Sequence, residues 1–174
     1  LADAGLRIKI LERSSDPVVL PRAVMLDGES LRAFQRIGLG DQVGAILQPP
    51  RDGEKSCFPN STRQNTSGID VPEFGPNGWR DMAFFDQPEL EALLRKLVDQ
   101  SERIEVSLGE DVLAVQSGDD DATVRSVNTA TGVESVLRAS FVLGCDGAAS
   151  FVRGDLGIDW ENLGYDQDWL VIDI

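Results

Sequence analysis

The sequence has 174 residues, 41% of them hydrophobic and 26% charged, which is enough for one domain with a sizeable core, or a domain plus a subdomain. Its net charge of -14 opposes binding to phosphate backbones, which needs clustered Lys and Arg to displace counterions, so nucleic acid is not an expected partner. No apolar run approaches the roughly 20 residues that span a bilayer, so no membrane partner is expected either, and the lack of any histidine removes Ser-His-Asp and Cys-His nucleophiles and most zinc sites.

Cys57 and Cys145 lie far apart, without metal-like spacing or a disulfide framework, a usage that fits a reducing cytoplasm. Any chemistry must then come from a cofactor or from carboxylates. Residues 1–6 read as the last turn of a helix with Gly5 as its stop, and residues 169–174 read as a strand cut short. Both ends are those expected of an internal piece of a longer protein.

Residues 7–12 alternate and then turn apolar, as a half-buried strand does, and they close on Glu12, followed by Arg13. In a βαβ dinucleotide-binding unit the acid that closes the second strand bonds the ribose hydroxyls, and Glu12 stands where that acid belongs. The alternative is a solvated strand-end charge. The G-x-G-x-x-G turn that precedes such a strand is not in this sequence. A loop follows over residues 14–24, centred on Pro21-Arg22-Ala23. Asp27 can cap the next helix, with Leu26 and Leu31 as a hydrophobic staple and Gly38 as the stop.

Residues 49–78 are rich in Pro, Gly, Asn and Ser and read as loops, with short strands at 55–58 and 68–71. A strand is predicted over 82–85. Pro88 then suits the first turn of a helix whose Leu90, Leu93, Leu94, Leu97 and Val98 form one apolar stripe, read as core. Gln87 stands just before this proline; glutamine is a poor helix cap, and its amide could point at a ligand.

Alternating runs at 104–108, 111–116, 123–128 and 134–137, separated by Gly- and Asp-rich turns, predict a small meander between two halves of a mixed sheet. Asp119-Asp120-Asp121 reads as a solvated hairpin tip; it lacks EF-hand spacing, and no metal is expected. The apolar run Phe141-Val142-Leu143 reads as a buried strand leading into Gly144-Cys145-Asp146-Gly147-Ala148-Ala149-Ser150-Phe151-Val152-Arg153. An acid, a glycine, a serine and an arginine at such a junction can bind a sugar-phosphate: carboxylate to hydroxyl, glycine for close approach, helix start and guanidinium toward phosphate. The plain alternative is a strand-turn-helix corner in which Asp146 or Ser150 only caps the helix and Arg153 pairs with Asp155.

Taken in order, Glu12-Arg13, Pro21-Arg22-Ala23, the helix from Asp27, Gln87-Pro88 and the segment 144–153 give a sequence that resembles the FAD-dependent aromatic hydroxylases, the p-hydroxybenzoate hydroxylase-like group A flavoprotein monooxygenases. Within that group the strings 21–27, 150–153 and 166–171 are most similar to hydroxylases acting on 3-(3-hydroxyphenyl)propionate. The resemblance covers nearly the whole chain. It implies an α/β, Rossmann-like FAD-binding fold with a mixed sheet and a small β-meander, truncated at both ends. Residues 1–174 would form a partial FAD-binding domain, with 49–85 contributing to the start of the substrate region and 165–174 beginning the substrate-domain sheet.

The resemblance also implies site roles. Glu12, beside Arg13, holds the adenosine ribose; Arg22 lies near the flavin side of the FAD; Gln87 contacts the ribityl-phosphate region. Val112 or Leu113 packs or bonds through its backbone near adenine. Asp146 and Gly147, completed by Ser150 and Arg153, form a motif serving both FAD and NAD(P)H. The implied reaction uses NAD(P)H as reductant and molecular oxygen to hydroxylate a phenolic substrate. Open beside it stand another flavoenzyme of the same fold (a halogenase, reductase or epoxidase) and a noncatalytic acidic α/β binding module.

Overall fold

A computed structural model describes residues 1–16, 23–48, 56–59, 65–69, 74–164 and 168. In chain order its elements are β1 (Ile8–Glu12), β2 (Met25–Leu26), α1 (Gly28–Arg36), α2 (Gly40–Gly44), β3 (Ser56–Pro59), β4 (Asn65–Ile69), β5 (Ala83–Phe84), α3 (Gln87–Asp99), β6 (Ile104–Leu108), β7 (Glu110–Ser117), β8 (Ala122–Asn128), β9 (Glu134–Ala139) and α4 (Phe151–Asp155). They fall into two compact units: residues 1–2, 6–17 and 102–174 make one, and residues 3–5 and 18–101 the other.

In the first unit, β1 runs parallel to β6, with Ile8 opposite Ile104 and Glu12 opposite Leu108. Parallel neighbours need a crossover between them, here the long stretch 13–103. Gly109, at φ +72°, turns β6 directly into β7, and its N–H and C=O reach Ser14 and Thr129 at 3.4 and 2.7 Å. β7, β8 and β9 form the antiparallel meander expected of the last three alternating runs, whereas the first, 104–108, pairs parallel with β1 instead of joining it. Its period of two is visible in β8, where Ala122, Val124 and Ser126 are all buried. Ser126 is a polar member of that row, and it is satisfied by donating to Glu110 Oε2 at 2.7 Å while Asn128 Nδ2 donates to Oε1 at 3.1 Å. These bonds hold the Glu110 carboxyl below the usual carboxylate range, Ser126 contributing most. The β7–β8 register shifts between Val112 and Ala114, placing a bulge at Leu113.

The second unit is organised by α1 and α3. Asp27 caps α1 by accepting the Ser30 N–H at 2.8 Å, and Gly38, at φ +79°, stands just past the Ile37 cap that closes the helix. Leu31, Val43, Ala83, Phe85 and Leu90 form the core, with Leu26, Leu93 and Leu94 packed against it. The staple partners Leu26 and Leu31 therefore meet the same core. β2 pairs antiparallel with β5, and β3 with β4.

Three expectations need correction. The run Phe141-Val142-Leu143 forms no strand, and Phe141 and Leu143 are 85% and 66% exposed. An apolar stretch becomes a buried strand only when a ladder partner and a covering layer exist, and the described residues supply neither. The helix expected just after Gln87 starts at Gln87 itself, because Asp86 takes the cap and accepts the Glu89 N–H at 2.9 Å. β2 and α2 form in stretches to which the sequence assigned no element. Residues 165–174, apart from Asp168, lie outside the described residues, as does Arg22.

Candidate functional site

The segment after Leu143 is a tight corner built by its own side chains. Gly147 takes φ +79°, and a side chain placed there would meet nothing within 4 Å, so the glycine serves conformation rather than clearance. Gly144 has the opposite reason: a Cβ there would lie 3.0 Å from the Cβ of Val152, so the chain entering the turn runs close against α4. Asp146 closes the corner with both oxygens, Oδ1 accepting from Ser150 Oγ at 2.6 Å and Oδ2 from the Val152 N–H at 3.0 Å. The Ser150 bond, then the Val152 bond, keep the Asp146 carboxyl below its ordinary range. Ser150 in turn accepts the Arg153 N–H at 3.0 Å as the cap of α4.

Capping is thus real for both Asp146 and Ser150, but the expected Arg153–Asp155 pair is not formed. Arg153 Nη1 donates to the Ala148 carbonyl at 2.8 Å, and its Cζ lies 4.3 Å from the centre of the Trp160 ring. Asp155 instead accepts the Val115 N–H at 2.9 Å, tying the end of α4 to β7 two residues beyond the bulge. Neither Trp160 nor Asp155 carries a motif signal in the sequence, since each acts through a contact that only the fold creates.

The corner is exposed at Asp146, Gly147, Ala148 and Ala149. Among the described residues no acceptor is recorded for the Gly147 and Ala148 N–H groups. Two open amides, a carboxylate held ionised and a guanidinium nearby suit a ligand carrying both hydroxyls and phosphate. In the same unit Glu12 ends β1 in solvent, Oε1 accepting the Ser14 N–H at 2.7 Å and Oε2 without a recorded partner among the described residues. Arg13 beside it is also exposed, and Val112 is half-buried at the edge of the bulge. This donor and acceptor set fits a dinucleotide.

Gln87 belongs to the second unit and is half-buried. Its Oε1 accepts the Ala23 N–H at 3.0 Å and its Nε2 donates to Glu91 Oε1 at 3.0 Å. The amide therefore ties Ala23 to the first turn of α3. No group of three or more potential metal ligands occurs among the described residues, and no helix there is long and apolar enough to cross a membrane.

Comparison with known proteins agrees with this chemistry. A 3-(3-hydroxy-phenyl)propionate/3-hydroxycinnamic acid hydroxylase of Comamonas testosteroni is 31% identical over 174 residues, covering 100% of this chain and 29% of the relative. A probable NADH-specific resorcinol 4-hydroxylase of Rhodococcus jostii (strain RHA1) is 30% identical, covering 97% of this chain and 31% of its own length. The chain thus spans less than a third of either relative. In three dimensions it is similar to the flavin-dependent monooxygenase PieE, solved in complex with FAD and substrate, with a TM-score of 0.76 at 22% identity over 90% of this chain and 29% of that one. The model for the FAD binding domain matches residues 1–174, so the chain belongs to the FAD binding domain family.

Proposed function

We propose that this chain is the nucleotide-holding part of a monooxygenase that hydroxylates a phenolic aromatic acid such as 3-(3-hydroxyphenyl)propionate, with NAD(P)H as reductant and molecular oxygen as the oxygen source. The observation that carries the reading is the match to the FAD binding domain along the whole chain, joined to relatives named as hydroxylases of phenols. When bound, FAD supplies the redox and oxygen-transfer chemistry. The residues of this chain bind and orient.

Glu12 offers its open carboxylate oxygen to ribose hydroxyls, with Arg13 beside it and the Val112 backbone toward adenine. Asp146, ionised at neutral pH, accepts from ligand hydroxyls while Ser150 keeps it in place. The Gly147 turn lets a sugar-phosphate chain approach the backbone, and Arg153 adds a positive charge to a molecule of net charge -14. Gln87 fixes the loop end at Ala23 and thereby the chain next to Arg22, which we assign to the flavin side. None of these groups has to exchange a proton with substrate for such a role.

Purifying the protein at its natural length tests the reading. It should carry or take up FAD, show visible flavin absorbance, and oxidise NADH or NADPH faster when 3-(3-hydroxyphenyl)propionate is added, with a dihydroxylated product. Resorcinol in the same assay reports the breadth of the phenol site. A colourless protein that takes up no FAD overturns the enzyme reading; FAD uptake without phenol-stimulated NAD(P)H oxidation overturns the substrate class alone.

A further inference from the structure

We propose that Trp160 is a positioning residue, its indole holding the Arg153 guanidinium in the pose that presents an un-neutralised positive charge beside the Asp146–Ser150 corner to a phosphate of the cofactor. The inference rests on the function proposed above. It begins from charge. The sequence has 30 acidic and 16 basic residues, so an arginine near a helix end would ordinarily find a carboxylate, and Asp155 stands two positions away. Asp155 accepts the Val115 N–H instead, and Arg153 forms no ion pair among the described residues.

What holds the guanidinium is a ring face, 4.3 Å from Cζ, and one bond from Nη1 to the Ala148 carbonyl. A stacked guanidinium keeps its full charge and its remaining N–H groups in the plane, whereas an ion-paired one has both satisfied. Tryptophan is the ring that holds a cation best. The Ala148 carbonyl belongs to the corner itself, so the stack also fixes where the charge lies relative to the open Gly147 and Ala148 amides. Trp160 is 65% exposed, which makes burial of the indole a poor explanation for its place.

The test is FAD titration of the natural-length protein, read by flavin fluorescence. Trp160→Leu keeps an apolar side chain but removes the ring, and at this exposed position it leaves the fold intact. It should weaken FAD binding about three- to tenfold, while Trp160→Phe, which keeps a ring face, should stay within about twofold of wild type. Arg153→Gln should weaken binding too, and adding Trp160→Leu to it should change affinity by less than about twofold, because the ring then has no cation to hold. Wild-type affinity in Trp160→Leu, or an undiminished Trp160→Leu effect in the Arg153→Gln background, overturns the positioning role while leaving the proposed function standing. A wild-type protein that binds no FAD overturns both.

Discussion

Gly147 separates conformation from chemistry at the scale of one residue. Its φ of +79° lies in the left-handed region, and open space surrounds the position where a side chain would sit. Gly147→Ala therefore brings no clash, only the backbone penalty of holding an L-residue there, roughly 1–2 kcal/mol. A denaturant titration should show that loss, and a variant as stable as wild type would mean that the turn relaxes to another conformation. Asp146 and Ser150 illustrate why a motif's two readings need not compete. The capping bonds at 2.6, 3.0 and 3.0 Å consume one lone pair on each oxygen involved, and an ionised carboxylate retains others for a ligand. Residue types pointed to the capping bonds of this corner, but the partner of Arg153 was not readable from them. Sequence proximity favoured Asp155, two residues on, whereas packing brought Trp160, seven residues on.

Elements whose start, stop and buried face are all written locally were legible in the sequence; those made only by packing were not. α1 has its acidic cap, its staple and its glycine stop within thirteen residues, and β7 to β9 are runs of strand-forming residues separated by turn residues. By contrast β2 is two residues long, too short for any period, and exists because Met25 and Leu26 meet Phe84 and Ala83. α2 begins and ends on glycine, a poor helix former, and forms where Gly40 fits against Gln35 and the Trp79 ring, both 3.2 Å from where a Cβ would sit. The local rule can be tested at Asp27. Asp27→Ala removes the acceptor for the Ser30 N–H and should cost about 1 kcal/mol, whereas Asp27→Asn keeps an equally good cap and should cost little at neutral pH. Equal losses in both variants, measured by thermal unfolding, would show that charge rather than the capping bond matters at this helix start.

For the whole molecule, the composition sets how stability answers to pH. With no histidine, no side chain has an ordinary titration between the carboxylates and the cysteine thiols, so unfolding midpoints should be nearly flat from about pH 5.5 to 7. Below that range three carboxyls among the described residues carry hydrogen bonds that respond to acid: Asp27 in one unit, and Glu110 and Asp146 in the other. Each is held below its ordinary range by hydrogen bonds to the ionised form, led by the Ser30 N–H, Ser126 and Ser150 respectively. A folded-state value below the unfolded one means that the unfolded chain binds more protons as acid is added. The stabilisation from these bonds is therefore complete above the unfolded carboxylate range and is lost as pH falls through the lowered folded values, below about pH 4. Neutralising the remaining acids acts the other way, relieving the self-repulsion of a chain at -14. The first effect is tested by mutation: Asp27→Asn, Glu110→Gln and Asp146→Asn together should flatten the acid side of the stability profile. An acid limb as steep in the triple variant as in wild type would place the proton uptake elsewhere.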